Sequence, residues 1–267
     1  MKIFALLLSL ALATSAYAIP KAPFDALKVS RPIQFDSNQT DYDFEGIVKL
    51  SNCSGYSSGP WGGMLKPGEV VVNSPVKRSM KIFDKQMKLS PITTTRVVYA
   101  AMTDTDITIY ELTQTYQDIQ KKFNIQSFDL DTIRPSLGTD IEIVSGYWDR
   151  GYSCAIDAFI FNLKEGDWLF KDSIRYTDGC NTIGGTSGSP ILSKGTRSVI
   201  AINNTANEDG ERCTVNNPCE VSKDGTITVL KDKKYGQETY NIYSCLSPDF
   251  GIDLNRSGCL LAKPALK

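Results

Sequence analysis

Short runs rich in Val, Ile, Tyr, Phe and Thr recur along nearly the whole chain, cut at intervals by Gly, Pro, Asn and Asp. Residues 46–50, 70–73, 96–101, 141–147, 155–163, 198–202 and 226–230 are the clearest. β-branched and aromatic side chains suit a pleated, half-buried surface, and the punctuating residues suit turns. The pattern therefore predicts strands joined by tight connections. Asp224-Gly225, between Val221 and Ile227, adds a hairpin signal. Only one segment has helical spacing: Leu112, Tyr116, Ile119 and Phe123 fall on one apolar face. It precedes the polar stretch 126–139, with Pro135 and Gly138, which reads as a linker between two β halves, 19–136 and 137–267. There is no tandem repeat and no βαβ alternation. The class is all-β.

The 267 residues contain no His. A Ser-His-Asp triad, a Cys-His pair and an imidazole metal cluster are therefore all excluded. Chemistry in this chain must run on Ser, Asp, Glu, Lys, Tyr or Cys. A balance of 29 Lys+Arg against 30 Asp+Glu leaves no basic footprint, so nucleic acid is not an expected partner.

Residues 1–18 read as a secretory leader. Lys2 supplies positive charge, residues 3–13 form a short apolar stretch, and Ala16-Tyr17-Ala18 matches a small-x-small cleavage pattern. The apolar run is too short for a membrane anchor, and no later stretch is long and apolar enough to span. The expectation is an exported protein, secreted or periplasmic, in which disulfides can persist. None of the seven Cys lies in a C-x-x-C, so zinc has no spacing support. Cys213 and Cys219 can close a short loop, Cys245 and Cys259 a longer one, and Cys154 and Cys180 can staple a strand to the loop beyond it. Spacing alone does not fix these pairings. Cys53, alone in the first half, is the odd one over.

The most informative stretch is Gly185-Thr186-Ser187-Gly188-Ser189-Pro190, leading into Ile191-Leu192. Glycines around a Ser in a tight loop expose its hydroxyl and let backbone N–H groups converge on one point. Alone, such a pattern is an ordinary Gly/Ser turn, and it does not match the G-x-S-x-G elbow of α/β-hydrolases. The run does, however, resemble the nucleophile loop of chymotrypsin-fold serine proteases, whose trypsin-like form is G-D-S-G-G-P; its ending is closer to the bacterial glutamyl-endopeptidase branch. The resemblance implies Ser187 at the nucleophile position, the N–H groups of Gly185 and Ser187 at the oxyanion hole, and Asn203 and Asn204 on the substrate-flanking strand. Residues 46–55, ending in Cys53-Ser54-Gly55, resemble the early barrel strands. Thr105-Asp106-Ile107-Thr108-Ile109-Tyr110-Glu111-Leu112 resembles the family's segment carrying the triad Asp, which implies that role for Asp106. The implied architecture is two six-stranded antiparallel β-barrels with one short amphipathic helix near the middle.

One part of the pattern is missing. The strand before the family's catalytic His aligns best on Val70-Val71-Val72-Asn73-Ser74-Pro75-Val76, which puts Pro75 where the base belongs and Val76 where a Cys should bridge to Cys53. A single local change thus accounts for both the missing His and the unpaired Cys. Without an imidazole the Ser187 hydroxyl keeps its proton, and nothing carries one to a leaving amine. In a related triad enzyme, loss of the base lowers turnover by about 10⁶. Lys77 is the one nearby alternative base, and it needs a dry site to lose its proton.

Two readings follow from the resemblance. One is a pseudoprotease that binds peptide or protein in a retained cleft by strand pairing. The alternative is an active serine endopeptidase using Ser187 with a non-His or partner-supplied base. No cofactor or metal is expected. The acidic turn 207–211 lacks EF-hand spacing and reads as a solvated loop, and the Trp residues read as packing.

Overall fold

The computed structural model describes residues 42–49, 64–249 and 251–265, together with the backbone of residues 7 and 8. Cys53, Trp61 and the Cys53-Ser54-Gly55 match lie outside the described residues. The first half contributes β1 (Leu7–Leu8), β2 (Val48–Lys49), β3 (Val70–Pro75), β4 (Ser79–Phe83), β5 (Leu89–Thr103) and β6 (Thr105–Leu112), all in one sheet. β5 is its spine. Bulges at Thr94/Arg96 and Val97/Tyr99 bend it, so that β6 runs along one edge while β3 and β4 lie end to end on the other. The step between β3 and β4 is sewn to β5: the Val76 N–H donates to the Thr95 carbonyl, and the Thr94 hydroxyl donates to the Val76 carbonyl.

Leu112 does not belong to the helix that its spacing suggested. It is the last residue of β6, and α1 (Tyr116–Phe123) begins four residues later. Thr115 decides the start: its hydroxyl accepts the Asp118 N–H while the Asp118 carboxylate accepts the Thr115 N–H, a capping box. The α1 turns bury Ile119 against Ile82, Ile92 and Leu112.

The second half contributes β7 (Asp129–Leu130), β8 (Asp140–Ser145), β9 (Arg150–Glu165), β10 (Trp168–Tyr176), β11 (Pro190–Ser193), β12 (Ser198–Ala206), β13 (Cys219–Val221), β14 (Ile227–Thr228) and β15 (Lys234–Glu238). Six of these close a ring, β10–β15–β12–β11–β8–β9 and back to β10, every pairing antiparallel. Closure removes sheet edges. Ile141, Ile143, Ile156, Ile174, Tyr176 and Ile191 form the buried cluster of this half. Gly236 is required in β15: a Cβ there would lie 2.5 Å from both Ile191 Cδ1 and the Tyr176 hydroxyl oxygen. The Asp224-Gly225 signal is met as expected, with Val221 opposite Ile227 and Gly225 in the left-handed region.

The stretch 126–139 is anchored to both halves. The Gln126 N–H donates to Glu45, Asp129 and Asp131 donate to the carbonyls of Arg197 and Val199, and β7 adds parallel to β12. The halves also share an apolar seam, in which Tyr99, Ile107 and Ile109 pack in one cluster with Ile202, Ile242 and Leu261. Fully burying each such side chain contributes roughly 1.5–3 kcal/mol. Disulfides join Cys154 to Cys180, Cys213 to Cys219 and Cys245 to Cys259. Among the described residues no helix is long and apolar enough to cross a membrane.

Candidate active site

Ser187 sits between β10 and β11, on a loop fixed at several points. The disulfide from Cys180 to Cys154 pins its start to β9. Two turns follow, with the Thr186 N–H on the Ile183 carbonyl at 3.0 Å and the Ser189 N–H on the Thr186 carbonyl at 3.1 Å. Gly185 and Gly188 have φ of 93° and 84°, conformations that glycine adopts without strain. Thr186 is fully buried, and its hydroxyl lies 3.5 Å from that of Tyr152. The Trp148 indole N–H, on the β8–β9 turn, donates to the Gly184 carbonyl at 3.0 Å. Neighbouring N–H groups are engaged, but among the described residues no hydrogen bond is donated by the N–H of Gly185 or Ser187. They are the two donors to which the family resemblance assigns an oxyanion hole.

The far side of the loop is tied to β12. The Gly188 N–H donates to the Asn203 carbonyl and the Asn203 N–H to the Ser189 carbonyl, both at 2.9 Å. Asn203 is therefore engaged by the loop itself, and its side-chain oxygen accepts the Tyr176 hydroxyl at 3.3 Å. Complete burial pushes the Tyr176 phenol well above its ordinary pKa, so it stays a neutral donor. Asn204 is buried, and its main-chain carbonyl accepts the Ser187 hydroxyl at 2.9 Å. The Asn204 amide group itself makes no hydrogen bond among the described residues.

Asp106 is buried as the second residue of β6, just past the tight turn that joins β5 to β6. Two residues before it, Asp104 exchanges main-chain hydrogen bonds with Leu169 and Lys171 of β10, and the Lys171 ammonium lies 2.9 Å from the Asp104 carboxylate. The register separates Asp106 from Pro75. Asp106 is opposite Met102 at one end of β5, whereas Pro75 is opposite Arg96, six residues further along. At about 3.3 Å per residue that is roughly 20 Å. Pro75 and Lys77 are both exposed, and neither lines the cleft onto which Ser187 opens. Aligning β3 by its Val-rich sequence thus does not bring Pro75 into a triad with Asp106 and Ser187. β3 pairs with β5, and residue 75 lies at the wrong end of it.

The cleft beside Ser187 is a cavity of about 340 Å³. Gly185, Ser187 and Tyr147 stand at one side, and Ile82, Ile92, Ile109, Leu112 and Ile119 line its depth. Tyr147 packs edge-on against Trp148, which is 45% exposed and packs between loops through its hydrogen bond to Gly184. The acidic turn 207–211 is self-bracing: Asn207 is buried, donates to the carbonyls of Glu211 and Pro218, and accepts the Gly210 N–H. Among the described residues no group of three or more metal-ligating side chains is assembled.

No protein-family profile matches the chain, and no curated protein sequence matches it. Solved structures similar to it are chymotrypsin-fold serine proteases. The protease domain of MamO from Magnetospirillum magneticum has a TM-score of 0.43 at 11% identity, over 75% of this chain and 95% of that one. The active form of the Rv3671c protease from M. tuberculosis has a TM-score of 0.40 at 12% identity, over 74% and 77%. The Nocardiopsis protease has 0.38 at 13%, over 74% and 93%. At such identities the likeness concerns fold alone.

Proposed function

We propose that the chain is an exported protease-fold protein whose cleft holds extended peptide without cutting it. The observation that carries this reading is the hydrogen bond from the Ser187 hydroxyl to the Asn204 carbonyl. A nucleophilic Ser needs a basic acceptor for its proton, and a main-chain carbonyl is not one. The chain has no His, and Lys77 is exposed outside the cleft. The free N–H groups of Gly185 and Ser187 still suit a peptide carbonyl, and the Asn204 carbonyl suits a peptide N–H once the hydroxyl turns away. Three disulfides support an oxidising compartment.

The test is turnover of a broad peptide library by the mature protein beside its Ser187→Ala variant. The expected result is no difference between the two. Hydrolysis that disappears in the variant overturns the reading.

A further inference from the structure

The peptide unit between Gly184 and Gly185 joins two contacts of the Ser187 loop. Its carbonyl accepts the Trp148 indole N–H at 3.0 Å, and its N–H donates no hydrogen bond among the described residues. A trans peptide points these two groups in opposite directions. Gly185 lines the cleft and Trp148 does not, so the carbonyl is turned to Trp148 and the N–H to the cleft. The same unit is the centre of a β-turn. The Thr186 N–H donates to the Ile183 carbonyl at 3.0 Å, Gly185 has φ of 93°, and Gly184 lies outside the positive-φ region. Those features define a type II turn. A type I turn over the same residues keeps the outer hydrogen bond but rotates the central peptide plane, with φ of about −90° at the third residue. Glycine takes either sign of φ almost equally well, so the turn itself selects neither form. We propose that Trp148 is a positioning residue: its indole N–H holds this turn in the type II form and so keeps the Gly185 N–H turned to the cleft.

Trp148 is braced from its own side. Its main-chain N–H donates to the Ser145 hydroxyl at 3.4 Å, and the Tyr147 ring packs edge-on against it. The next residue, Asp149, is tied to β2, where the Lys49 ammonium lies 2.6 Å from both carboxylate oxygens. On the other side Thr186 is fully buried, which fixes the end of the turn and leaves the central plane free to rotate. Rotation would bring the Gly184 carbonyl round to the cleft, an acceptor where a peptide carbonyl needs a donor. The Ser187 N–H belongs to another peptide unit and keeps its place. The proposal rests on the reading that the cleft takes a peptide carbonyl at these two N–H groups, and it adds the residue that keeps one of them available.

Two replacements of Trp148 test it in the mature protein. The benzothiophene isostere of the indole exchanges the N–H for sulfur and keeps the shape, and Trp148→Phe keeps an aromatic ring without a donor. The residual dipolar coupling of the Gly185 N–H bond reads the orientation of the plane directly. In the parent it should fit the type II turn. In both variants it should move towards the rotated plane, or the signal should split in two, while couplings in the barrel strands stay unchanged. The second measurement is the peptide library of the hydrolysis test, read as peptide retained. Both variants should bind retained peptides about fivefold more weakly, the effect of one neutral hydrogen bond. An unchanged Gly185 coupling in the isostere overturns the proposal, and so does a changed coupling with equal retention. A parent that retains no peptide overturns the reading of the cleft instead, and the hold of Trp148 on the turn then stands or falls by the coupling.

Discussion

The Ser187 hydroxyl and the Asn204 main-chain carbonyl are hydrogen-bonded at 2.9 Å, which joins the tip of the nucleophile-like loop to the strand beside it. An extended peptide that pairs with this carbonyl must first displace the hydroxyl. Ser187→Ala removes that competitor, whose net contribution is about 1 kcal/mol for a neutral hydrogen bond. Peptides that pair with Asn204 should therefore bind the variant up to about fivefold more tightly. Isothermal titration of one library-selected peptide against both proteins measures this. Weaker binding to the variant would mean that the hydroxyl itself contacts the ligand.

The Cys154–Cys180 bridge bears on the same loop. It spans 26 residues of sequence and ends where the run 181–190 begins. Closing a loop of that length stabilises the fold by about 3–4 kcal/mol in the chain-entropy account. Cys154→Ala/Cys180→Ala should lower the thermal midpoint by several degrees and speed exchange at Gly184–Gly188 ahead of the barrel strands. If exchange rises only through global unfolding, the bridge does not hold the loop.

Much of this was legible in the residue pattern, and the misses have physical causes. The strands at 141–147, 155–163 and 198–202 appear where β-branched and aromatic runs stand; β12 is buried along nearly its whole length, whereas β9 mixes buried with more accessible positions. β15 was not visible: Lys234-Tyr235-Gly236-Gln237-Glu238 is polar and has no strand-like composition, yet most of it is buried. Its place is set by the ring, with Gln237 donating to the Lys171 carbonyl and Glu238 facing Arg134. Leu112 was misassigned because helical spacing runs across the strand end, whereas the Thr115 cap is what starts the helix. The Ser187 loop was legible because glycine positions are written in the sequence. The Asn204 carbonyl was not, because a main-chain acceptor leaves no mark on composition. Register was equally invisible, so nothing in the residue pattern shows that Pro75 stands opposite Arg96 while Asp106 stands opposite Met102.

Arg134 joins the strap 126–139 to the barrel. Its guanidinium contacts Glu238 in bidentate fashion, reaches Asp172 at 3.2 Å, and lies over the Phe159 ring. Burial pushes the Glu238 carboxyl up to about 7 although Arg134 pulls it down. Arg134→Met removes the counter-charge and raises that carboxyl further. At pH 8, where Glu238 is ionised and paired, the cost should be about 2 kcal/mol, at the low end for a broken pair because Arg134 is 41% exposed. At pH 5 the carboxyl is protonated in both proteins and the difference should shrink. Denaturant midpoints at the two pH values check this, and an equal loss at both would assign the effect to packing on Phe159.

Glu165 closes β9 with a buried carboxyl at which the Asn216 N–H donates to Oε1 at 2.8 Å, while Oε2 has no hydrogen bond among the described residues. Burial outweighs the donors and pushes the pKa from 4.5 to about 7. The folded state thus holds a proton that the unfolded chain releases between these values. The associated stability is fully present below about 4.5 and is lost as pH rises through about 7. At about 1.4 kcal/mol per pKa step, the loss by pH 8 is roughly 3 kcal/mol. Glu165→Gln keeps the Oε1 acceptor and cannot ionise. The variant should match the parent near pH 5, exceed it by 2–3 kcal/mol at pH 8, and show a flatter profile between. Chemical denaturation from pH 4.5 to 8.5 measures both curves. Parallel curves would mean that Glu165 is ionised in the fold and that its buried charge is compensated.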